Sequence, residues 1–517
     1  MRSRQARSAG APGGTDILQA LLDACERSPD APAMTLGRRT LTYGQLRDRI
    51  HGVAAGLGQR GLEPGDRVLF SVRPGLHGIV LALGIIAAGG TVVFADPGAG
   101  QAMFRARAGL AEPKWVAAES LLYAASSGPL RSFARRRGLE LADYATVVPD
   151  ARHIYAGPWL PGVPRHSIRA SSLSPRRSSL SPRGSSLSRS HHRNPQAEAL
   201  IIFTSGTTAH PKAVVHSRRS LGTGLADFAH HVGFGAGERV LTDQLMVGIP
   251  ALISGAHWVL PPAGLDPGAS PARYLDLLPG ADVLFAVPAA LDAMLRMLER
   301  EPAKTPTLRA LLIGGAPVLR PLLQRARAQL PNTTIRAIYG MTEILPVAIA
   351  DGDEKLAFTG VGDYVGEIMP TISARFDAGE LVLSGAGLAS YLGQPPQSEL
   401  HTGDLGRIEE RRLVLGGRSK DMFIRGTTNV YPGLYEPVIA GITGVREAAL
   451  VGVPDAIGDD SLVLVVVLDG ITIENVRLAL PGLIDAAVLP DRIVAMDSLP
   501  RAGRSSKLDR AALAALL

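Results

Sequence analysis

Residues 78–95, GIVLALGIIAAGGTVVFA, carry no charge over eighteen consecutive positions, and such a run leaves a chain two options. It can cross a bilayer as one helix of about twenty apolar residues, or it can be buried inside an α/β body, where elements of a parallel sheet read as near-continuous apolar segments. Gly89-Gly90 divides the run into an Ala/Leu/Ile-rich half and a Val-rich half that ends at Asp96-Pro97. Paired glycines mark a turn and β-branched residues favour strands. The run therefore predicts a buried helix, a turn and a buried strand, with no transmembrane segment.

The same texture recurs along the chain. Helix-like stretches at 17–27, 43–58, 289–299 and 319–329 alternate with strand-like ones at 67–72, 92–95, 199–204, 283–287, 310–313 and 335–339. Alternation of this kind predicts a wound α/β body. Past residue 375 the pattern shortens to strands at 380–384, 405–409 and 412–415, which predict a small β lobe. From 421 to 517 the order is hairpin, helix, strand, strand and helix, a small α+β domain. The expected organisation is a flexible N-terminus over 1–14, an N-terminal domain over 15–416, a hinge at 417–420 and a C-terminal domain over 421–517. At 517 residues and 46% hydrophobic content, the chain has core enough for several such units.

Charge argues against nucleic acid as a partner. The net +7 equals the contribution of Arg165, Arg169, Arg176, Arg177, Arg183, Arg189 and Arg193, all in one acid-free stretch, so the rest of the chain is formally neutral. That stretch repeats SSLSPRR, SSLSPRG and SSLSRSH from Ser171, Ser178 and Ser185. One apolar residue per seven cannot build a coiled-coil seam. Residues 164–196 are therefore expected to form a disordered surface insert; its Ser-Pro sites at Ser174 and Ser181 suit a kinase, and a neutral expansion without a role is the favoured alternative. A single cysteine, Cys25, allows no intramolecular disulfide, and no Cys/His cluster has zinc-ligand spacing. The basic start MRSRQARSAGAPGG lacks the apolar core of a secretory signal. A reducing, cytoplasmic setting is expected.

Chemistry concentrates after the apolar stretch LIIF. Thr204, Ser205, Gly206, Thr207 and Thr208 are followed by Ala209-His210-Pro211 and Lys212. Hydroxyl and backbone donors beside a lysine suit a polyphosphate, and a Ser/Thr-rich surface turn accounts for the same residues. Downstream come Gly314-Gly315-Ala316-Pro317, Tyr339-Gly340-Met341-Thr342-Glu343, Thr402-Gly403-Asp404 and Gly417-Arg418-Ser419-Lys420-Asp421.

In order and in residue type these five segments resemble the motifs of the adenylate-forming superfamily, which contains acyl-CoA synthetases, peptide-synthetase adenylation domains and luciferases. The resemblance extends to Leu41-Thr42-Tyr43 and Pro64-Gly65-Asp66 upstream and to Leu499-Pro500-Arg501 and Lys507 downstream. It implies two wound α/β subdomains plus a β lobe, followed by a small mobile α+β domain that caps the site.

The resemblance also implies roles. Thr204 to Thr208 and Lys212 would bind phosphate. Gly314, Gly315, Ala316, Pro317, Tyr339 and Gly340 would form an adenine slot, with Asp404 and Arg418 on the ribose. Thr342 and Glu343 would serve catalysis, Glu343 as the Mg²⁺ ligand, and Lys507 would stabilise charge at the α-phosphate. Lys420 would be the hinge, and Gly426 would line a pantetheine tunnel. Read alone, Lys507 is better explained as a solvated charge, Glu343 fits an ordinary loop, Gly403-Asp404 an exposed turn and the Gly314 segment a plain strand-to-helix turn. ATP, Mg²⁺ and CoA, or the pantetheine arm of an acyl carrier protein, are the implied cofactors and partners.

Two glycines of the family pattern are alanines here, Ala209 and Ala213, and Ser506 precedes Lys507 where a glycine is usual. The stretch 241–260, LTDQLMVGIPALISGAHWVL, matches the family's acyl pocket and has no acid after Asp243 to meet an ammonium group. An apolar acid, a fatty acid first, is the expected substrate, although a plain helix-and-strand core explains the same residues. Carrier-protein loading, β-lactone formation from a β-hydroxy acid, and a non-catalytic nucleotide- or acyl-binding homologue are the alternatives.

Overall fold

The computed structural model describes residues 14–99, 101–136, 141–173, 194–204, 212–418, 423–425, 428–430, 432–454, 460–484, 488–502 and 507–517. Their contacts divide the chain into two compact units. One comprises 1–263, 341–345 and 385–398, the other 264–340, 346–384 and 399–517.

In the first unit, helix Ile17–Arg27 starts where the Asp16 side chain accepts from the backbone N–H groups of Leu18 and Gln19. Helix Tyr43–Gln59 starts at a reciprocal Thr42–Gln45 capping box. The uncharged run becomes helix Leu76–Ala87 and strand Thr91–Phe94, with Gly89 at φ +88° in the turn between them. That strand is central in an eight-stranded sheet, which runs in space Ser390–Tyr391, Lys212–Ser217, Glu198–Thr204, Thr91–Phe94, Arg67–Ser71, Trp115–Glu119, Arg152–Ala156 and Ile168–Arg169. The pairings from Glu198–Thr204 to Ile168–Arg169 are parallel, and the other two are antiparallel. Both faces of the central strands are covered, and these are the strands that read as near-continuous apolar segments.

Part of the Ser/Arg-rich segment packs against the sheet. Within 164–196, residues 168–169 add the edge strand, Ala170–Ser172 form a 3₁₀ turn and Leu173 is 3% exposed in the core. The disorder expected for 164–173 is thus corrected: Ile168 and Leu173 supply enough apolar anchor to bind this backbone to the sheet. Residues 174–193, including Ser174 and Ser181, lie outside the described residues.

In the second unit the strands follow the order Ile372–Asp377, Glu380–Gly385, Leu400–Glu409, Arg412–Arg418, Asp363–Ile368, Ile344–Asp351, Thr334–Met341, Ala310–Gly314 and Val283–Ala286. The expected β lobe is therefore a continuation of the sheet. Gly417 and Arg418, expected at a hinge, end the strand Arg412–Arg418. Nearer the C-terminus, strands Val445–Pro454, Asp460–Leu468 and Arg492–Ala495 make a three-stranded sheet with helices Pro432–Ile439 and Ile473–Ala479.

Among the described residues no helix is long and apolar enough to cross a membrane.

Candidate active site

Strands Glu198–Thr204 and Lys212–Ser217 are antiparallel, and their register sets Thr204 opposite Lys212. The two residues thus mark the ends of the Ser/Thr-rich segment. Ser205, Gly206, Thr207, Thr208 and Ala209 lie outside the described residues. Ala213 is 3% exposed inside the strand, paired with Phe203, and its carbonyl accepts from the N–H of Leu392 at 2.9 Å. Its φ is not positive. Its methyl group is a core atom, so it imposes none of the backbone strain that an alanine in place of glycine would cause at positive φ.

On the other side of Lys212–Ser217 lies the short strand Ser390–Tyr391, with Tyr391 opposite Val214. Lys212 is then the diagonal neighbour of Tyr391, within reach for an aromatic and a long side chain. Accordingly, Lys212 Nζ sits 5.6 Å from the centre of the Tyr391 ring. The Tyr391 hydroxyl donates to Glu343 Oε1 at 3.0 Å. Burial, then the Glu343 charge, push the Tyr391 phenol well above its usual range, so the hydroxyl keeps its proton and remains a donor.

Thr342 and Glu343 form the corner between strands Thr334–Met341 and Ile344–Asp351. The Glu343 carbonyl accepts from Ala389 N–H at 2.8 Å, and the Thr342 carbonyl meets His216 Nε2 at 2.7 Å. A carbonyl only accepts, so Nε2 carries the proton, leaving Nδ1 to face the Ser220 hydroxyl at 3.5 Å. His216 is 1% exposed, and burial is the main cause that holds its pKa below the ordinary value. A neutral imidazole of fixed tautomer thus braces the residue before Glu343.

The second unit gathers the residues expected around adenine and ribose. Strand Ala310–Gly314 ends against Ile338, whose carbonyl oxygen would lie 3.2 Å from any Cβ on Gly314, and Gly315 follows at φ +87°. Neither position readily accepts a side chain. Ala316 is half-buried, Pro317 and Gly340 are exposed, and Tyr339 stands on the adjoining strand with its hydroxyl bonded to Asp404 Oδ2. Asp404 is 2% exposed, and its N–H donates to Thr402 Oγ1 at 3.0 Å. Thr402 in turn donates to the Leu381 carbonyl at 2.8 Å. Arg418 is the backbone partner of Asp404 across the sheet. Lys507 is exposed in a hairpin strand opposite Ala502. Lys420, Gly426 and Ser506 lie outside the described residues.

The structure therefore unites Thr204, Lys212, Thr342 and Glu343 in the first unit. Gly314, Tyr339, Asp404 and Arg418 come together in the second. Two residues that sequence reasoning missed, Tyr391 and His216, connect the first group. Nothing local announces either residue, because each acts on a corner remote in sequence.

A magnesium ion would meet a single described carboxylate here, that of Glu343. Among the described residues no group of three or more His, Cys, Asp or Glu side chains could hold a metal. Glu343 alone suits the ion's habit of taking one or two carboxylates and completing its shell with phosphate and water.

Comparison with known proteins identifies the family and the fold. Residues 21–390 match the family model for AMP-binding enzyme, and 435–507 match that for AMP-binding enzyme C-terminal domain. A 3-[(3aS,4S,7aS)-7a-methyl-1,5-dioxo-octahydro-1H-inden-4-yl]propanoyl:CoA ligase of Rhodococcus jostii strain RHA1 is 28% identical over 94% of this chain and 96% of that protein. The fatty acid–[acyl-carrier-protein] ligase ScoC of Streptomyces coeruleorubidus is 28% identical over 83% of this chain and 82% of its own. In fold the chain resembles ATP-bound MatB from Rhodopseudomonas palustris, at a TM-score of 0.76 and 23% identity, over 97% of this chain and 99% of that one. The chain therefore belongs to the AMP-binding enzyme family of adenylate-forming ligases, with that family's C-terminal domain following the first.

Proposed function

We propose that this ligase activates an apolar carboxylic acid, a fatty acid first, with ATP and passes the acyl group to CoA in the cytoplasm. In the first step a substrate carboxylate oxygen attacks the α-phosphorus; the bond to the β-phosphate oxygen breaks, leaving acyl adenylate and pyrophosphate. Two anions must approach each other, so fixed cations and donors contribute most of the rate. Lys212 and the hydroxyls from Thr204 to Thr208 would hold the outer phosphates, and Lys507 would meet charge developing at the α-phosphate. Asp404 and Arg418 would anchor the ribose and Tyr339 the adenine. Magnesium, held by Glu343 beside Thr342, would supply neutralisation of phosphate charge.

In the second step the CoA sulfur attacks the acyl carbonyl carbon, the thiol proton is lost and AMP leaves. Rotation of 421–517 about Lys420 would withdraw Lys507 and bring Gly426 to the pantetheine path.

The observation that carries this reading is the joining of Lys212 to Glu343 through Tyr391, which puts a phosphate-type cation and a metal-type carboxylate on one small surface. The core position of Ala213 supports turnover over a merely binding homologue. The second reading, a carrier-protein acceptor, is favoured by the 28% identity to the acyl-carrier-protein ligase.

Exchange of labelled pyrophosphate into ATP, measured across fatty, aryl and β-hydroxy acids, tests the first step. Exchange that depends on one class of acid is expected. Its absence for every acid, in protein that binds ATP, would overturn the reading. Addition of CoA or of a pantetheinylated carrier then names the acceptor.

A further inference from the structure

We propose that Tyr391 is a positioning residue that keeps Lys212 and Glu343 from pairing with each other, so that the cation stays available to phosphate and the carboxylate to the metal. The inference deepens the function proposed above and rests on its assignment of those two residues.

Opposite charges beside one another in a nucleotide-free site attract strongly when partly shielded from water, and a direct ion pair would have to break before substrate could bind. Tyr391 contacts both partners. Its ring lies under the Lys212 ammonium, and its hydroxyl takes Glu343 Oε1 at 3.0 Å. Among the described residues no ion pair joins Lys212 to Glu343. An aromatic face attracts an ammonium without neutralising it, so phosphate can still compete for Lys212. One hydroxyl on Oε1 fixes the rotation of the carboxylate and leaves lone pairs for a cation.

The placement of Tyr391 owes nothing to either charge. Backbone pairing of Ser390–Tyr391 with Val214 and Val215, and the Leu392 N–H to the Ala213 carbonyl at 2.9 Å, hold it in register. The Ala389 N–H holds the Glu343 backbone through the same short segment. One strip of chain, 389–392, thereby ties the strand that begins at Lys212 to the corner at Glu343.

Two variants separate the two contacts. Tyr391→Phe keeps the ring under Lys212 and removes the hydroxyl, whereas Tyr391→Leu removes both. ATP binding is measured by calorimetry at graded Mg²⁺, alongside pyrophosphate exchange, with thermal melting to establish folding. Tyr391→Phe is expected to raise the Mg²⁺ concentration for half-maximal binding about ten-fold, with ATP affinity at saturating Mg²⁺ nearly unchanged. Tyr391→Leu is expected to weaken ATP binding about ten-fold even without Mg²⁺, because Lys212 is then drawn onto Glu343. Adding Glu343→Gln to Tyr391→Leu should restore the Mg²⁺-free affinity, a rescue that general disruption would not give.

Absence of that rescue, or a Tyr391→Phe variant with native Mg²⁺ dependence beside a shifted Glu343→Gln, would overturn the proposal and leave the metal assignment standing. A Glu343→Gln variant with native Mg²⁺ dependence would overturn the assignment itself, and the proposal with it.

Discussion

The Tyr339 hydroxyl donates to Asp404, a carboxylate with only 2% of its surface exposed. The pair joins the strand that ends beside Gly340 to the strand that pairs with Arg418. A bond to a charged acceptor contributes about 1.5–3 kcal/mol, and stranding a buried charge costs more than the bond itself. Tyr339→Phe should lower stability by about 1–3 kcal/mol. Asp404→Ala should weaken ATP binding about ten- to hundred-fold by removing the ribose acceptor. Denaturant melts and calorimetric titration measure the two effects, and native ATP affinity in Asp404→Ala would remove that residue from the ribose site.

Lys507→Ala should lower adenylate formation by about a hundred-fold or more, a loss of the size seen when a fixed charge or donor at a developing anion is removed. Thioester formation from supplied acyl adenylate and CoA should stay within about two-fold of native, because in that step the lysine would have been withdrawn. Single-turnover assays of the two half-reactions test this, and equal loss in both would sink the role given to Lys507.

Periodicity and end signals made the main helices and several central strands legible in advance. Helix 17–27 is bounded as expected, because Asp16 caps an amphipathic run whose buried residues are Ile17, Leu18, Leu21, Ala24 and Cys25. The strand expected at 405–409 instead begins at Leu400. The strand's first residues find their partners far away in sequence, Thr402 at the Leu381 carbonyl and the Gly403 N–H at Glu380. Long-range partners were not legible. His216 is 126 residues from Thr342 and Tyr391 is 48 from Glu343, and only the folded sheet brings each to its corner. The motif residues themselves could be found because the ligase pattern lies in segments of contiguous sequence.

The stretch expected to line the acyl pocket is largely core. Helix Leu245–Ile253 buries Val247 to Leu252, and Trp258 is fully buried with its Nε1 donating to the Thr242 carbonyl at 2.8 Å. A Cβ on Gly248 would lie 2.0 Å from the Trp258 ring. Gly248→Ala should therefore destabilise the protein by about 1–3 kcal/mol, the usual cost of overpacking. Variants at the half-buried Leu245 and Met246 should be tolerated and shift chain-length preference instead. Denaturant melts and the acid panel separate the cases; a fully stable Gly248→Ala would mean the tryptophan has room to move.

Leu173 gives the Ser/Arg-rich segment a boundary that can be tested. It is 3% exposed, and a Cβ on Gly56 would lie 2.8 Å from its carbonyl oxygen. Leu173→Ala should cost about 2–5 kcal/mol. Excision of 174–193 should leave melting temperature and turnover near native, whereas excision of 164–193 should lower both. Equal melting temperatures for the two deletions would show that residues 164–173 add nothing to the fold.

Four histidines predict how stability responds to acid. Burial is the largest cause that lowers the pKa of His77, His153, His216 and His257. In each case the fold favours the neutral imidazole more than does the unfolded chain, which takes up a proton near pH 6.5. Between that value and the lower folded pKa the unfolded state holds more protons. Stability is therefore complete above about pH 6.5 and falls as the pH drops below it. Glu447 opposes this at lower pH, since burial raises its pKa and its folded form holds a proton more tightly. Melting temperature should thus fall between pH 7 and pH 5.5. His216→Gln, whose amide can still donate to the Thr342 carbonyl without titrating, should flatten the slope. An unchanged slope in that variant would mean that His216 does not contribute to the acid response and that its neutral, bracing form has been misassigned.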